Sequence, residues 1–373
     1  MLRATGEAGS PSAVLPAGIW SGRLRRRAQP PPSCRTGDFD GWNAGYHTDL
    51  TRSRARQAAG LGLAVVLAAC GSNGGQAEDD PLGPAPGGSG AVPGTYGPPR
   101  LLGNLADLAI TESSGLVASR RNPGVYWTHN DSGDDPVVFC VRGRGEACGA
   151  WRVTGAQARD WEAIAAGPGP EQGTSYLYVG DIGDNLEDLQ EVLVYRVPEP
   201  SVPASGTGPA RGAPASTDEA ETLRLRYPDG PHNAEALTVH PQTGDLYVVV
   251  KAADPAVYVA RAPLTAAPVT LELVGTVTVP DPVPALKIVT GADIAPDGRR
   301  VAVCTYGDGY ELELPADEPA FDAIWRQPAR RVDLGDRAQG ESIAYRLDGR
   351  ALLTTSEQAV GLPVPLLQVE RRP

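Results

Sequence analysis

Five times along this chain an acidic residue opens a short apolar run, a turn rich in Gly or Pro follows, and a second apolar run ends in a polar tip. The fullest copy is Asp160 to Asn185, DWEAIAAGPGPEQGTSYLYVGDIGDN. The others begin at TESSGLVAS (Glu112), NAEALTVHP (Glu235), TGADIAPDG (Asp293) and QGESIAYRL (Glu341), and continue into VYWTHND, DLYVVVK, RVAVCTY and ALLTTSE. Internal repetition decides architecture before any local propensity does. The acids are spaced 50, 73, 58 and 48 residues apart, close to the roughly 40–50 residues of a four-stranded propeller blade. The long interval contains residues 198–218, PEPSVPASGTGPARGAPASTD. Its prolines lack the ladder N–H and it has no apolar alternation, so it is expected to contribute no strand.

Written out, the repeats predict an all-β chain: a single β-propeller of four-stranded antiparallel blades, five in number, with six as the alternative. Forty-five Gly and 36 Pro against one Met fit turn-rich β structure. The fifth repeat offers only ESIAYRL, ALLTTSE and PLLQVER. Its missing outer strand is expected from PRLLGNL, residues 99–105, which would pair the two ends of the chain and remove the open sheet edges.

The first hundred residues read differently. Residues 1–50 carry Arg23, Arg25, Arg26 and Arg27 among Pro, Gly and Ser, with no periodic apolar face. They read as a disordered leader or a mis-set translation start, with a basic nucleic-acid arm as the weaker alternative. Residues 51–69 then present Arg52, Arg54 and Arg56 and the run AAGLGLAVVLAA, the layout of a signal peptide and too short to span a membrane. LAAC followed by Gly-Ser resembles the lipobox of bacterial lipoproteins, which implies lipidation at Cys70 and a place on the extracytoplasmic face of the membrane. An ordinary secreted protein is the alternative. Residues 70–99 read as a flexible tether, and residues 100–373 as the propeller.

Net charge is −12 overall, and −17 from Cys70 onward, with 24 basic and 41 acidic residues there. Nucleic acid and anionic lipid surfaces are therefore poor partners. A monomer that binds a ligand or an extracytoplasmic protein is the expectation. Cys140 and Cys148 flank a Gly-rich hairpin and can either pair or remain free, while Cys304 reads as a small buried apolar residue.

In a ring, the innermost strands start near the axis, so Glu112, Glu162, Glu235, Asp293 and Glu341 are expected at one mouth of the channel. The ends of the second strands bring Asn130, Asp131, Asp181, Asp184, Asn185, Lys251, Asp308 and Glu357 toward the same region. So many carboxylates need cations or hydrogen-bond donors. They can also be satisfied structurally, by backbone N–H groups at blade junctions and by a Lys251–Glu235 pair. Calcium takes six to eight oxygen ligands, and GDIGDN clusters Asp181, Asp184 and Asn185 about Gly183. With Glu162 and Glu235 from neighbouring strands these form the expected metal set; a capped turn is the competing account of the same tip.

DWEAIA with YLYVGDIGDN, and NAEALTVHPQTGDLYVV, resemble the acid-bearing repeats of calcium-dependent β-propeller phytases and related phytase-like esterase propellers. The resemblance implies a carboxylate-lined axial mouth holding calcium, which in the phytases bridges substrate phosphate to carboxylates. The chain departs from that pattern in having five repeats rather than six and no dense Lys/Arg set beside the acids beyond Lys251.

Other chemistries lack their signatures. There is no G-x-S-x-G elbow, and Ser113-Ser114-Gly115 has no strand–turn–helix context. Cys and His spacings fit no zinc site, His129 and His240 included, and no phosphate-binding glycine loop follows a strand. Trp127, Trp151, Trp161 and Trp325 read as packing residues. Two functions remain: a non-catalytic propeller that binds at its acidic mouth, or a calcium-dependent ester hydrolase using Glu162 or Glu235 as base.

Overall fold

A computed structural model describes residues 95–206, 208–357 and 363–372. The leader, the signal-like run, Cys70 and most of the tether lie outside the described residues.

Five small sheets form a ring. Their inner strands are Ser113–Ala118, Trp161–Pro168, Ala234–Val239, Val289–Ile294 and Ala344–Tyr345, and each packs against its neighbours on both sides, the last against the first. These strands are buried along almost their whole length, which is why they read as short runs of Ala, Gly, Ser and Val rather than as alternating patterns. Space near the axis is tight: a Cβ on Gly115 would stand 2.9 Å from the backbone nitrogen of Ile164 in the next blade.

The core is distributed between blades, one apolar cluster per interface. Leu177, Val179 and Val197 of the second blade meet Trp127 and Val138 of the first, and Tyr247 and Val259 of the third meet Val303 and Trp325 of the fourth. A side chain of this kind contributes roughly 1.5–3 kcal/mol when fully buried, so each interface helps hold the ring. The four Trp singled out in the sequence are all buried packing residues.

Closure follows the predicted route. Arg100–Asn104 pairs antiparallel with Pro365–Glu370, giving the last blade its outer strand. Pairing reaches further back than residue 100: Gly97 N donates to Glu370 O at 2.8 Å and Arg372 N to Thr95 O at 2.7 Å. The last residues of the predicted tether thus belong to the sheet. Cys140 and Cys148 are joined by a disulfide across the first blade's outer hairpin, and Cys304 is a buried free thiol.

One expectation fails. The insertion at 198–218 does supply a strand: Ala215–Glu219 adds to the edge of the first blade, parallel to Ala147–Thr154. The segment ASTDE is free of proline, and Thr154 Oγ1 and N bond to Thr217, so an edge position accepts it without apolar alternation. Val269–Thr270 likewise adds a short parallel strand to the second blade.

Candidate functional site

Four of the inner strands carry a register shift at their first turn, between Ser113 and Gly115, Trp161 and Ala163, Ala234 and Ala236, and Val289 and Gly291. A β-bulge inserts one residue that the ladder does not pair and re-aims its side chain. The inserted residues are Ser114, Glu162, Glu235 and Thr290. In the fifth blade Thr354 Oγ1 bonds Ser342 O just as Thr128 Oγ1 bonds Gly115 O, which places Glu341 at the matching position. Ser114, Glu235 and Glu341 line a narrow central cavity of about 10 Å³.

This corrects the sequence reading at two blades. The mouth position in the first is Ser114, and Glu112 lies two residues earlier, exposed at the rim, where its backbone bridges Glu357. In the fourth it is Thr290, whose hydroxyl donates to Gly340 O at 2.8 Å. Asp293 lies near the far end of its strand, accepting from Ile294 N and Tyr345 N at 2.9 and 2.7 Å, and burial pushes it up to about 7.

The carboxylates of Asp131, Asp160 and Glu162 converge, with oxygens within 4.8 Å of one another. Asp131 immediately follows the second strand of the first blade, Val125–Asn130, whereas Asp160 and Glu162 straddle Trp161, whose ring is sealed between blades. Glu162 is 5% exposed and has no hydrogen-bond or ion-pair partner among the described residues. Burial, then the charges of Asp131 and Asp160, hold it well above the usual carboxylate range. Burial also raises Asp131, to about 7, against a hydrogen bond from Ser132 N, and raises Asp160 against the opposing pull of Arg159 and Lys251. Gly183 makes the convergence feasible: a Cβ there would stand 2.3 Å from Asp160 Oδ2 and 2.7 Å from Glu162 Oε1. Its role is close approach of backbone to carboxylates rather than a tight turn.

Beside this triad, Lys251 pairs with Glu235, as the structural alternative held, yet Glu235 Oε2 is buried without a partner. Glu357 is pushed up to about 9, first by burial and then by a hydrogen bond with Glu341. Glu341 also accepts from Gln339 Nε2 at 2.6 Å. The Tyr306 hydroxyl lies within the field of Glu341, Glu162, Glu357 and Asp131 and is held well above its ordinary range, chiefly by burial.

The rest of the expected set is occupied structurally. Asp181 accepts from Asp160 N at 2.8 Å and pairs with Arg159, supporting the triad from behind. Asp184 accepts from Asp188 N and Leu189 N, the capped-turn reading of the GDIGDN tip. Asn185 is exposed and accepts from Asn233 Nδ2. Asn130 is spent on Thr111 N, Glu112 N, Ala109 O and Asp134, and Asp308 pairs with Arg331 away from the mouth. Sequence reasoning did not select Asp160 or Tyr306. Asp160 sat one residue ahead of the repeat's aromatic, whereas nothing in the local sequence marks Tyr306.

An all-oxygen donor set of carboxylates, one buried and two half-buried, suits a hard divalent cation such as calcium or magnesium and disfavours softer metals. The triad supplies three carboxyl groups, short of calcium's six to eight oxygens, so water or a ligand must complete the shell.

No known family model matches the chain, and no curated protein does. Among solved structures, a chain of the crystal structure of the mitotic checkpoint complex is similar at 14% identity and a TM-score of 0.31, over 67% of this chain and 62% of that one. The chain thus spans less than two thirds of that neighbour's length, and the likeness is too slight to bear on function.

Proposed function

We propose that this propeller is a binding protein that holds a calcium-like divalent cation in its acidic mouth and presents it to an oxygen-rich ligand or protein. The observation that carries this reading is Glu162: a carboxylate 95% buried, partnerless, and pointed at two others. Leaving a charge in that state is costly unless it binds a proton or a cation. The resemblance of the second and third repeats to calcium-dependent propellers points the same way. A binding role fits better than ester hydrolysis because the mouth has no committed nucleophile and, in Lys251, little positive charge for an anionic substrate.

We place the protein on the extracytoplasmic face of a bacterial membrane, anchored through Cys70. The Arg-flanked apolar run with LAAC-GS supports this, and so does the Cys140–Cys148 disulfide, since such bonds persist in oxidising compartments.

The test is thermal unfolding in calcium and in chelator. A cation that binds only the folded state stabilises it by about 2.7 kcal/mol at 100 times Kd. Millimolar calcium is expected to raise Tm for the wild type and not for Glu162→Gln. Superimposable wild-type curves would sink the cation reading, and ester turnover abolished by Glu162→Gln in a folded protein would replace binding with catalysis.

A further inference from the structure

Between the fourth and fifth blades, at the end of the ring opposite the acidic mouth, lies a cavity of about 480 Å³. That size falls within the roughly 300–1,000 Å³ of small-molecule sites. Its wall is anomalous for so acidic a chain: four guanidinium groups, Arg299, Arg300, Arg330 and Arg371, stand against two carboxylates, Asp297 and Glu313.

Two of the four are already neutralised. Arg300 pairs with Asp297 at 2.7 Å and donates to Gly349 O at 3.2 Å, which pins the turn below it, and Arg330 pairs with Glu313. Arg299 is not, and Arg371 is only loosely paired. Arg299 donates only to carbonyl oxygens, of Pro315 and Glu318, and has no carboxylate in ion-pair range among the described residues. Arg371 comes no closer than 3.7 Å to Glu311 and 3.8 Å to Glu313, too far for good hydrogen bonds, and its Nε is buried with no acceptor. A buried donor without an acceptor is costly to leave so. Arg299 therefore keeps Nε and Nη1, and Arg371 keeps Nη1, without an acceptor among the described residues, donors of the planar guanidinium fork that binds phosphate and carboxylate groups.

We infer that this cavity is an anion site, which takes a small molecule through a phosphate or carboxylate group held between Arg299 and Arg371. The site is separate from the acidic mouth and does not depend on a cation there.

The experiment is calorimetric titration of the protein in chelator at low salt, with inorganic phosphate and with succinate as probes. Saturable binding of at least one probe is expected, weakening as salt rises. Arg299→Ala should weaken it by about tenfold or more and Arg299→Lys by less, because lysine keeps the charge but loses the fork. Glu162→Gln should bind the anion as the wild type does. The better probe identifies the preferred oxyanion. Absence of binding by both probes would overturn the proposal, as would affinity unchanged in a folded double variant Arg299→Ala, Arg371→Ala.

Discussion

The hydroxyl of Tyr96 donates a 2.6 Å hydrogen bond to Oε1 of Glu311, a carboxylate 1% exposed in the fourth blade. The same oxygen accepts from Tyr345 of the fifth blade at 2.8 Å, and Arg300 and Arg371 stand at 3.5 and 3.7 Å from the carboxylate. One buried acid thus ties together the fourth blade, the fifth blade and the two segments, around Tyr96 and Arg371, that meet at the closure of the ring.

Removing that acid should loosen closure more than removing one of its donors. Glu311→Ala leaves two phenols without their acceptor and removes a buried counter-charge from Arg300 and Arg371, and breaking buried pairs in this way costs about 3–5 kcal/mol. Tyr96→Phe removes one hydrogen bond and should cost about 1 kcal/mol. Urea unfolding of both variants checks the order; equal losses would mean that the Tyr96 end carries the clasp.

Gly183→Ala tests the geometry of the triad without touching a carboxylate. Its Cβ would displace Asp160 and Glu162, so the calcium-dependent rise in Tm should shrink markedly. Stability in chelator should change much less, because the strands on either side remain paired. A full calcium response in this variant would show that the triad does not need its present spacing.

The pH dependence follows from two sets of groups with opposite signs. Glu162, Asp131 (about 7) and Glu357 (about 9) are raised in the folded state, so the fold retains protons that the unfolded chain releases above about 4, and stability falls as pH rises. His129 is fully buried and held down to about 4 by desolvation. The unfolded chain therefore takes up a proton below about 6.5 that the fold refuses, and stability falls as pH drops toward 4. The two oppose each other between about 4 and 6.5, and above that the carboxyls act alone. In chelator, Tm should fall from pH 6.5 to 9 by at least the 2–4 °C that corresponds to about 1 kcal/mol in a domain of this size. Calcium should flatten the fall, and Glu357→Gln should reduce it. A Tm that rises over this range would contradict the raised carboxyls of the mouth.

The five blades, their strand order and the closing strand were legible in the sequence because each depends on apolar runs between turns, and those runs are buried in the ring. The mouth was legible only in part. Glu162 and Glu235 were found because in those repeats the acid is itself the bulged residue, and Glu341 because the acid stands at the matching position. In the first blade the eye catches Glu112, but the bulge falls at Ser114; in the fourth it falls at Thr290, three residues before Asp293. A bulge changes which residue faces the axis without changing composition. The GDIGDN tip misled for a related reason: Asp184 answers the N–H groups of its own turn, and Asp160, from the other strand, does the converging.

Because the last blade borrows its outer strand from residues that precede the first blade, the ring cannot close in the order in which its strands are made. Arg100–Asn104 is made before the four complete blades and its partner Pro365–Glu370 after them, so those blades can assemble while the first strand of the ring waits without a ladder. Pairings this distant in sequence form slowly, and until they form the growing protein carries open sheet edges able to recruit another chain. The seam is thus where nascent copies are most open to swapping strands, and where loss of Pro365–Glu370 would leave a ring that cannot lock.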